Sequence, residues 1–480
     1  MRKEKIDADP DLVAFLETPA GVAFLHRLIL AAHFVMTLLG PCGVRLVCLF
    51  LELSGLDRFV AASYTPQWKV SVAMAEAIDQ FEQVERERLG QAMEAKQITV
   101  CEDETFHPEP CLVAIEPVSN FILLEKYTAD RKADTWTQAL AEATRGLPIE
   151  IMQSTSDEGR GIVHHVKEDL GAHHSPDVFH VQNELVKATS GPLAGKVRQA
   201  AKVLEKASQT DEEKAKQVLE IALKQQERAR KAVRGISEAY HPYDLNTGTI
   251  RSTQEVSALL HQHFAEIEAV AEQTHLSDTC LDRIAKAKRV GVDMVATVAF
   301  FLLTLKAKVE ALSLSEPVEQ AIYDNLIPAT YLHLVSEKTK DTQQRQQLQT
   351  KAEQLLAPLL ASDGPFAQLS EEEKSVIETV AKECAGLFQR SSSCVEGRNG
   401  QLALRHHSFH RLSNQKLKAL TTVHNYFVKR ADGTTAAERF FDAKPSNLFE
   451  WLLDRVDLPG RPAQKRSQPD PKKYPDTISA

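Results

Sequence analysis

The chain has 480 residues, of which 43% are hydrophobic, 26% charged and 6% aromatic, a composition that is ordinary for a folded protein and excludes wholesale disorder. Its length exceeds the roughly 250–300 residues at which one hydrophobic core stops growing, so we expect two or three structural units. The net charge of −9 argues against a surface coated throughout for nucleic acid, because neutralising phosphate requires Lys and Arg.

Charge is unevenly distributed along the chain. From Arg398 to the last residue, 15 Lys and Arg stand against 8 Asp and Glu, with four His in addition, whereas the rest carries 42 basic and 58 acidic residues. Since phosphate contacts need cations, a DNA-binding face would involve this C-terminal part.

The cysteine pattern and the N-terminus both indicate a cytoplasmic protein. Seven cysteines, an odd number with no CxxC pair, are typical of reduced thiols and predict neither a disulfide framework nor a zinc site. The first residues, MRKEKIDADPD, lack the apolar core of a signal peptide. The apolar stretch 21–56 is interrupted by charged residues and by Gly40-Pro41, so we interpret it as two or three buried helices rather than a membrane span.

The N-terminal region predicts a helical unit over residues 1–95. Apolar residues recur at helical spacing from residue 11, with breaks at Pro19, Pro41 and Pro66. Such a unit is either a DNA reader or packing support for the next domain, and no recognition helix stands out.

A strand-rich segment follows, to which we assign residues 96–187. QITVCEDETF, CLVAIEPVSN and FILLEKY predict three short strands of an antiparallel meander, separated by the turn-forming HPEP and PVSN. A helix from Asp134 to Thr144, a strand at LPIEIMQST, a helix from Gly159 to Leu170 and a fifth strand at DVFHVQ come next. The order is three strands, helix, strand, helix, strand.

The rest of the chain predicts helix almost throughout. Residues 188–389 contain long runs rich in Ala, Lys, Glu and Gln, which indicate an all-helical insertion. Residues 390–458 include Ser391-Ser392-Ser393 and continue as helix from near Val395. The Pro- and Lys-rich tail 459–480 is expected to be a disordered basic segment.

Three acidic residues stand where a carboxylate could hold a cation. Asp103 ends an apolar strand inside CEDETF, and Asp157 follows the fourth predicted strand in SDEGRG. Glu396 opens the helix of VEGRNG, which also carries Asn399. Each acid alone has a plainer interpretation, a solvated strand end for the two Asp and a surface helix for the Glu. Their joint occurrence in this order favours a site.

The order of these motifs resembles that of DDE transposases of bacterial insertion sequences. In that family the first Asp lies on the first strand, the second just after the fourth, and the Glu on a later helix, which the resemblance carries over to Asp103, Asp157 and Glu396. Asp177 and His180 in SPDVFH resemble the Cys/Asp-x-x-His signature of members with a helical insertion between the fifth strand and the Glu helix.

The resemblance implies an α+β, mostly helical chain, with an RNase H-like mixed-sheet core interrupted by a large all-α insertion and preceded by a helical N-terminal unit. It implies a transposase that cuts and joins the DNA of a mobile element, with the three acids as catalytic and metal-binding residues. Two Mg²⁺ or Mn²⁺ ions would activate the attacking oxygen and stabilise the leaving one, and carboxylates suffice to hold such oxygen-preferring ions. The implied partners are DNA, at the element ends and the target, and further copies of the chain on that DNA.

Five basic residues are candidate DNA contacts. Arg398, Arg405 and Arg411 follow Glu396 in its predicted helix, and Lys429 with Arg430 forms a basic stretch before a Gly-Thr turn. A solvated basic helix is the plainer interpretation of the segment around Arg405.

Three alternatives stay open from the sequence. A decayed or domesticated relative would bind DNA without cutting it, which an acidic chain with no evident DNA reader allows. A helical interaction protein would require that residues 98–181 form no sheet. The three histidines of HHSPDVFH are a weak zinc signal, because no spaced partner set accompanies them.

Overall fold

The computed structural model describes residues 10–106, 108–409 and 412–461. Within it the chain divides into two compact units. The first combines the described residues up to Met93 with those from Gln401 onward, and the second spans Glu94–Gly400. The resemblance implies that residues 390–458 complete the strand-containing core, whereas the described residues from Gln401 onward group by their contacts with the N-terminal helices.

The first unit is helical. The expected helices between residues 11 and 95 are confirmed, and α2 continues as a π-helical turn, Phe34–Leu39. Its helices are α1 (Pro10–Glu17), α2 (Pro19–His33), α3 (Val44–Leu53) and α4 (Tyr64–Ala92) from the N-terminal part, and α16 (Asn414–Tyr426), α17 (Ala436–Phe441) and α18 (Leu448–Arg455) from the C-terminal part.

Aromatic side chains join the two chain segments of this unit. The Phe81 ring on α4 meets the rings of Tyr426 and Trp451 edge to face, with centroids 5.5 and 5.6 Å away. Trp451 Nε1 donates a hydrogen bond to the Ala77 carbonyl at 2.9 Å. The two ends of the chain therefore share one core.

The second unit contains a mixed five-stranded sheet. Its strands are β1 (Lys96–Phe106), β2 (Pro110–Glu116), β3 (Phe121–Tyr127), β4 (Ile149–Ser156) and β5 (His173–Pro176), in the order β3-β2-β1-β4-β5. The first three strands pair antiparallel, which confirms the predicted meander, and β4 and β5 continue the sheet in parallel. The expected α+β, mostly helical class is thus confirmed.

Two predicted helices cover one face of this sheet. They are α5 (Ala133–Thr144) and α6 (Arg160–His164), the latter continuing as a π-helical turn, His165–Asp169. Trp136 and Ile162 from these helices pack with Leu112 and Leu124 of the sheet in one buried cluster. The opposite face is left for elements from later in the chain.

The fifth strand exists, but it lies before the segment in which it was predicted. DVFHVQ opens a helix, α7 (Val178–Glu205), whose N-cap is Asp177. Val178, Val181 and Leu185 are buried at helical spacing, which outweighs the strand propensity of the segment. The strand is instead HHSP, immediately before it.

The region predicted as an all-helical insertion is helical. After α7 it comprises α8 (Glu212–Ala239), α9 (Thr253–Gln273), α10 (Asp278–Glu310), α11 (Glu316–Ala321), α12 (Ile327–Lys338), α13 (Thr342–Leu360) and α14 (Glu371–Leu387). Phe301, Tyr331 and Phe388 meet edge to face within its core. The chain then enters α15 (Ser393–Phe409), which begins in the second unit.

Two helical stretches in the described part of the chain are long and apolar enough to cross a membrane, Pro19–Leu39 and Asp278–Glu310. This is weak support for a membrane span, because the core helix of a soluble protein passes the same test. Met294, Val298 and Phe301 of the second stretch are buried in the helical core. The fold is compatible with a soluble protein.

Candidate active site

Asp103 and Asp157 occupy equivalent positions relative to two neighbouring parallel strands, Asp103 within β1 and Asp157 one residue after the end of β4. Cys101 of β1 pairs with Thr155 of β4, and each Asp stands two residues beyond its member of that pair. Side chains two residues apart along a strand point to the same face, and adjacent strands lie about 4.8 Å apart. The two carboxylates are thus delivered to one edge and one face of the sheet.

Helix α15 lies across that same face. Asp103, Val113 and Glu125 are in register across β1, β2 and β3. Two consecutive residues of α15 bind the acids at the ends of this row. Asn399 Nδ2 donates to Asp103 Oδ2 at 3.0 Å, and Arg398 donates from Nε and Nη2 to the two Glu125 oxygens at 2.7 and 2.6 Å.

Glu396 stands one turn earlier on α15, beside the start of α7. His180 Nε2 lies 3.5 Å from Glu396 Oε1 and 3.7 Å from Asp177 Oδ2. Asp177 caps α7 by accepting from the Phe179 amide at 2.7 Å, and it also accepts from Ser392 Oγ at 2.5 Å. The signature pair Asp177 and His180 therefore adjoins the predicted catalytic Glu.

The three acids interact electrostatically. Burial is the largest cause that raises the pKa of Asp103, to about 7, and the negative charges of Glu396 and Asp157 raise it further. Hydrogen bonding to the backbone at Glu104 opposes the shift. With a pKa of about 7, the Asp103 carboxyl is protonated in about half of the molecules at neutral pH, mainly because it is buried.

The residue types at this site are suitable ligands for Mg²⁺, but their side chains are too far apart in this structure to hold one ion together. Carboxylate oxygens are the ligands that Mg²⁺ takes, and a buried oxygen beside them, Asn399 Oδ1, lacks a hydrogen-bond partner among the described residues. However, no group of three or more His, Cys, Asp or Glu in the described part of the chain stands close enough to hold a metal ion. Asp157 Oδ1 instead accepts from the Gly159 amide at 2.9 Å.

The side chains of consecutive residues in CEDETF point to opposite faces of the sheet. Glu104 accepts from Arg131 at 2.6 Å and from Trp136 Nε1 at 3.3 Å, on the side of α5. Glu102 is fully buried on that side as well, where it accepts from Ser154 Oγ at 2.8 Å and its Oε1 lies 3.6 Å from His165 Nε2. Of the three acids in this motif, only Asp103 faces α15.

Two of the predicted DNA contacts are engaged by the protein itself. Arg398 is only 7% exposed and serves Glu125, as described above. Arg405, in the first unit, donates to the carbonyls of Leu38, Leu39 and Gly40, at the end of the π-helical turn after α2. Both guanidinium groups are thus engaged by protein acceptors, which does not favour phosphate contacts, and their assignment to DNA stays a prediction.

Two of the three remaining candidate DNA contacts lie on an exposed turn. Lys429 and Arg430 are exposed, on a turn closed by the Arg430 amide donating to the Thr434 carbonyl at 3.0 Å. Arg411 lies outside the described residues, as do residues 462–480 of the predicted basic tail.

The histidines of HHSPDVFH have structural partners. His173 stacks on Phe300, with ring centroids 4.5 Å apart, and its Nε2 lies 3.0 Å from Thr297 Oγ1. Burial lowers the pKa of His173 to about 4. His174 Nε2 lies 3.0 Å from Ser156 Oγ. These contacts give the two rings packing roles and offer no support for zinc.

The sequence reasoning missed Glu125, Ser392 and a cysteine pair. Glu125 interrupts the apolar run of FILLEKY, and a buried acid in such a strand signals a cationic partner elsewhere. Cys101 and Cys394, two residues before Asp103 and Glu396 respectively, interact with each other, and this interaction raises the pKa of the Cys101 thiol. Nothing in the spacing of these two cysteines points to their contact.

Comparison with known proteins yields one family match. Residues 322–468 match a family of unknown function, DUF6399. The matched stretch includes Glu396 and Asn399 but neither Asp103 nor Asp157. No curated protein matches the chain. No solved structure matches it.

Proposed function

We propose that the second unit is an RNase H-like catalytic core that cuts and joins DNA strands, as in DDE transposases, using Asp103, Asp157 and Glu396 with Mg²⁺ or Mn²⁺. The observation that carries the proposal is the equivalent placement of the two Asp, Asp103 on β1 and Asp157 directly after β4, with α15, the helix that carries Glu396, over the same face. The placement of the three acids, on the first strand, after the fourth strand and on a late helix, is the one that the resemblance implies.

The surrounding residues would orient this acid set. The Asn399 amide donates to Asp103 Oδ2 and holds that carboxyl in one orientation. The Arg398–Glu125 pair holds α15 on the sheet, and His180 lies against Glu396. When bound, the divalent ions would stabilise the negative charge that develops on the phosphodiester and would activate an oxygen nucleophile. DNA is the proposed substrate, and further copies of the chain are proposed partners on it.

The proposal is tested by metal-dependent DNA nicking. The parent protein is compared with Asp103→Asn, Asp157→Asn and Glu396→Gln, which keep the side-chain shapes. Asp134→Asn, on the exposed first turn of α5, is the matched control. The substrate is supercoiled plasmid that carries the genomic sequences flanking the gene, with Mg²⁺, Mn²⁺ or EDTA.

We expect nicking in Mn²⁺ or Mg²⁺, none in EDTA, and a loss of at least about 100-fold in the three site variants alone, because each removes charge from the reacting centre. Activity that survives in any one of them removes that residue from the site. Binding of Mn²⁺, followed by electron paramagnetic resonance, provides a second readout that does not depend on knowing the DNA sequence.

A second candidate is a DNA-binding relative that no longer cuts. The absence of a ready-made metal-holding group among the described residues favours it. Folded parent protein that binds DNA, but neither nicks it nor binds Mn²⁺, would establish this second function and exclude the first.

A further inference from the structure

The helical part of the second unit contains a cavity that the proposed site does not use. It measures about 620 Å³, within the range of small-ligand sites. Residues of α8, the end of α12 and the start of α13 line it, together with Gln182 of α7 and Arg390 of the segment before α15.

Arg390, which lines this cavity, leaves one edge of its guanidinium without a hydrogen bond among the described residues. Its guanidinium is largely buried, and burial lowers its pKa. Within the described part of the chain, all its hydrogen bonds leave from Nη1, to Ser237 O at 2.7 Å, Ser237 Oγ at 3.4 Å and Tyr240 O at 3.4 Å, where α8 ends. Nε and Nη2 have no hydrogen-bond partner among the described residues, and Arg390 lines the cavity. With two parallel N–H donors, that edge can bind two oxygens of one anion.

The charge of the lining favours an anion. Five cationic residues line the cavity against three acids, Glu227, Glu238 and Asp341. Asp341 already accepts from the Gln344 amide, capping α13. The two Glu lie 3.9–4.0 Å from their basic neighbours on exposed side chains, so those pairs are weak and open to exchange. The cationic residues are Arg230, Lys231, Arg234, Lys340 and Arg390.

A smaller cavity adjoins the same arginine. It measures about 220 Å³ and shares Val335, Thr339 and Arg390 with the larger one. Tyr331, Leu334 and Phe388 give it an apolar wall. An anionic group bound to Arg390 would thus lie next to this smaller cavity, whose apolar wall could accommodate a flat or apolar group.

We infer that this pair of cavities, which we call the Arg390 site, binds a phosphate group of an organic phosphate, either a free nucleotide or a nucleic-acid strand. Arg390 receives two phosphate oxygens on its Nε–Nη2 edge, and Arg230, Arg234 and Lys340 neutralise the remaining charge. The inference does not depend on the acids of the proposed catalytic site, since it needs neither metal nor strand cleavage.

Binding is measured by calorimetry on the full chain, in EDTA and at fixed ionic strength. The probes are pyrophosphate, ATP and a 20-nucleotide single-stranded DNA. Arg234→Gln removes a cation from the site, and Lys216→Gln, on the same helix but outside the cavity, is the matched control. Arg390→Gln tests the anchor, with circular dichroism to establish that the variant is folded.

We expect at least one probe to bind, with affinity about 5- to 10-fold lower in Arg234→Gln, within about twofold in Lys216→Gln, and no detectable binding in folded Arg390→Gln. Preference for ATP identifies a nucleotide site, and preference for the oligonucleotide identifies a strand site. The inference is overturned if no phosphate probe binds, or if Arg234→Gln and Lys216→Gln behave alike. Because EDTA suppresses any metal-dependent cleavage, failure here is independent of failure at the catalytic acids.

Discussion

The pKa of Asp103 is raised mainly by burial and further by the neighbouring carboxylates. A raised pKa means that the folded protein binds more protons than the unfolded chain between about pH 3.8 and about pH 7, so this residue lowers stability progressively as pH rises through that window. Its cost is absent below the window and complete above it. A cation at the acids would reverse that cost by favouring the charged form.

Replacing Asp103 by Asn should therefore stabilise the protein at pH 8 by between about 1 and 4 kcal/mol, while changing little at pH 4.5. Urea unfolding at the two pH values measures the difference, with Asp134→Asn as the exposed control. The same gain at both pH values would contradict the assigned cause. Added Mg²⁺ should raise the melting temperature of the parent and not that of Asp103→Asn.

Among the DNA candidates that lie in the described part of the chain, Lys429 and Arg430 have exposed side chains. Replacing both by Gln should lower the slope of log binding constant against log salt concentration by about 2, because two fewer counterions are released from DNA. Fluorescence anisotropy with a DNA duplex at several salt concentrations measures that slope. Lys224→Gln combined with Lys382→Gln, both exposed, is the charge-matched control. An unchanged slope would remove this turn from the DNA-binding face.

At the scale of elements, α15 is positioned by one buried ion pair. Both members of the Arg398–Glu125 pair are shielded from solvent, so the loss of either partner leaves an uncompensated charge. Arg398→Met should lower the free energy of unfolding by about 3–5 kcal/mol, and the further change Glu125→Gln should recover part of that loss. A double-mutant cycle in urea measures both effects. Additive losses would show that the two side chains do not depend on each other.

The elements show where the sequence was informative and where it was not. Alternating apolar residues and turn-forming HPEP and PVSN predicted the meander, because those signals are local. HHSP was missed as a strand, since four residues carry no period and the strand gains its hydrogen bonds only from β4. CEDETF offers three consecutive acids, and only α5 on one face and α15 on the other distinguish Asp103 from Glu102 and Glu104. The partner of Glu125 lies 273 residues away, so no local pattern could identify it.

At the scale of the whole molecule, the first unit depends on a core shared by two distant segments. Trp451→Ala removes an aromatic contact to Phe81 and a hydrogen bond to Ala77. It should destabilise this unit by about 3–5 kcal/mol. Hydrogen-exchange mass spectrometry should show faster exchange in peptides of α4 and α16, and unchanged exchange in β1 and β4. Equal acceleration in the sheet would mean that the two units unfold together.

The joining of both chain segments in the first unit has a consequence for synthesis. Helices α1–α4 leave the ribosome first, yet α16 and α18 emerge only after residues 94–400 have been translated. At about 5–20 residues per second that interval lasts on the order of 15–60 s, during which the apolar faces of α2 and α4 lack their covering. The newborn chain therefore has a period of exposure in which a chaperone that holds apolar helices would protect it from aggregation, and the yield of soluble protein should rise when such a chaperone is abundant.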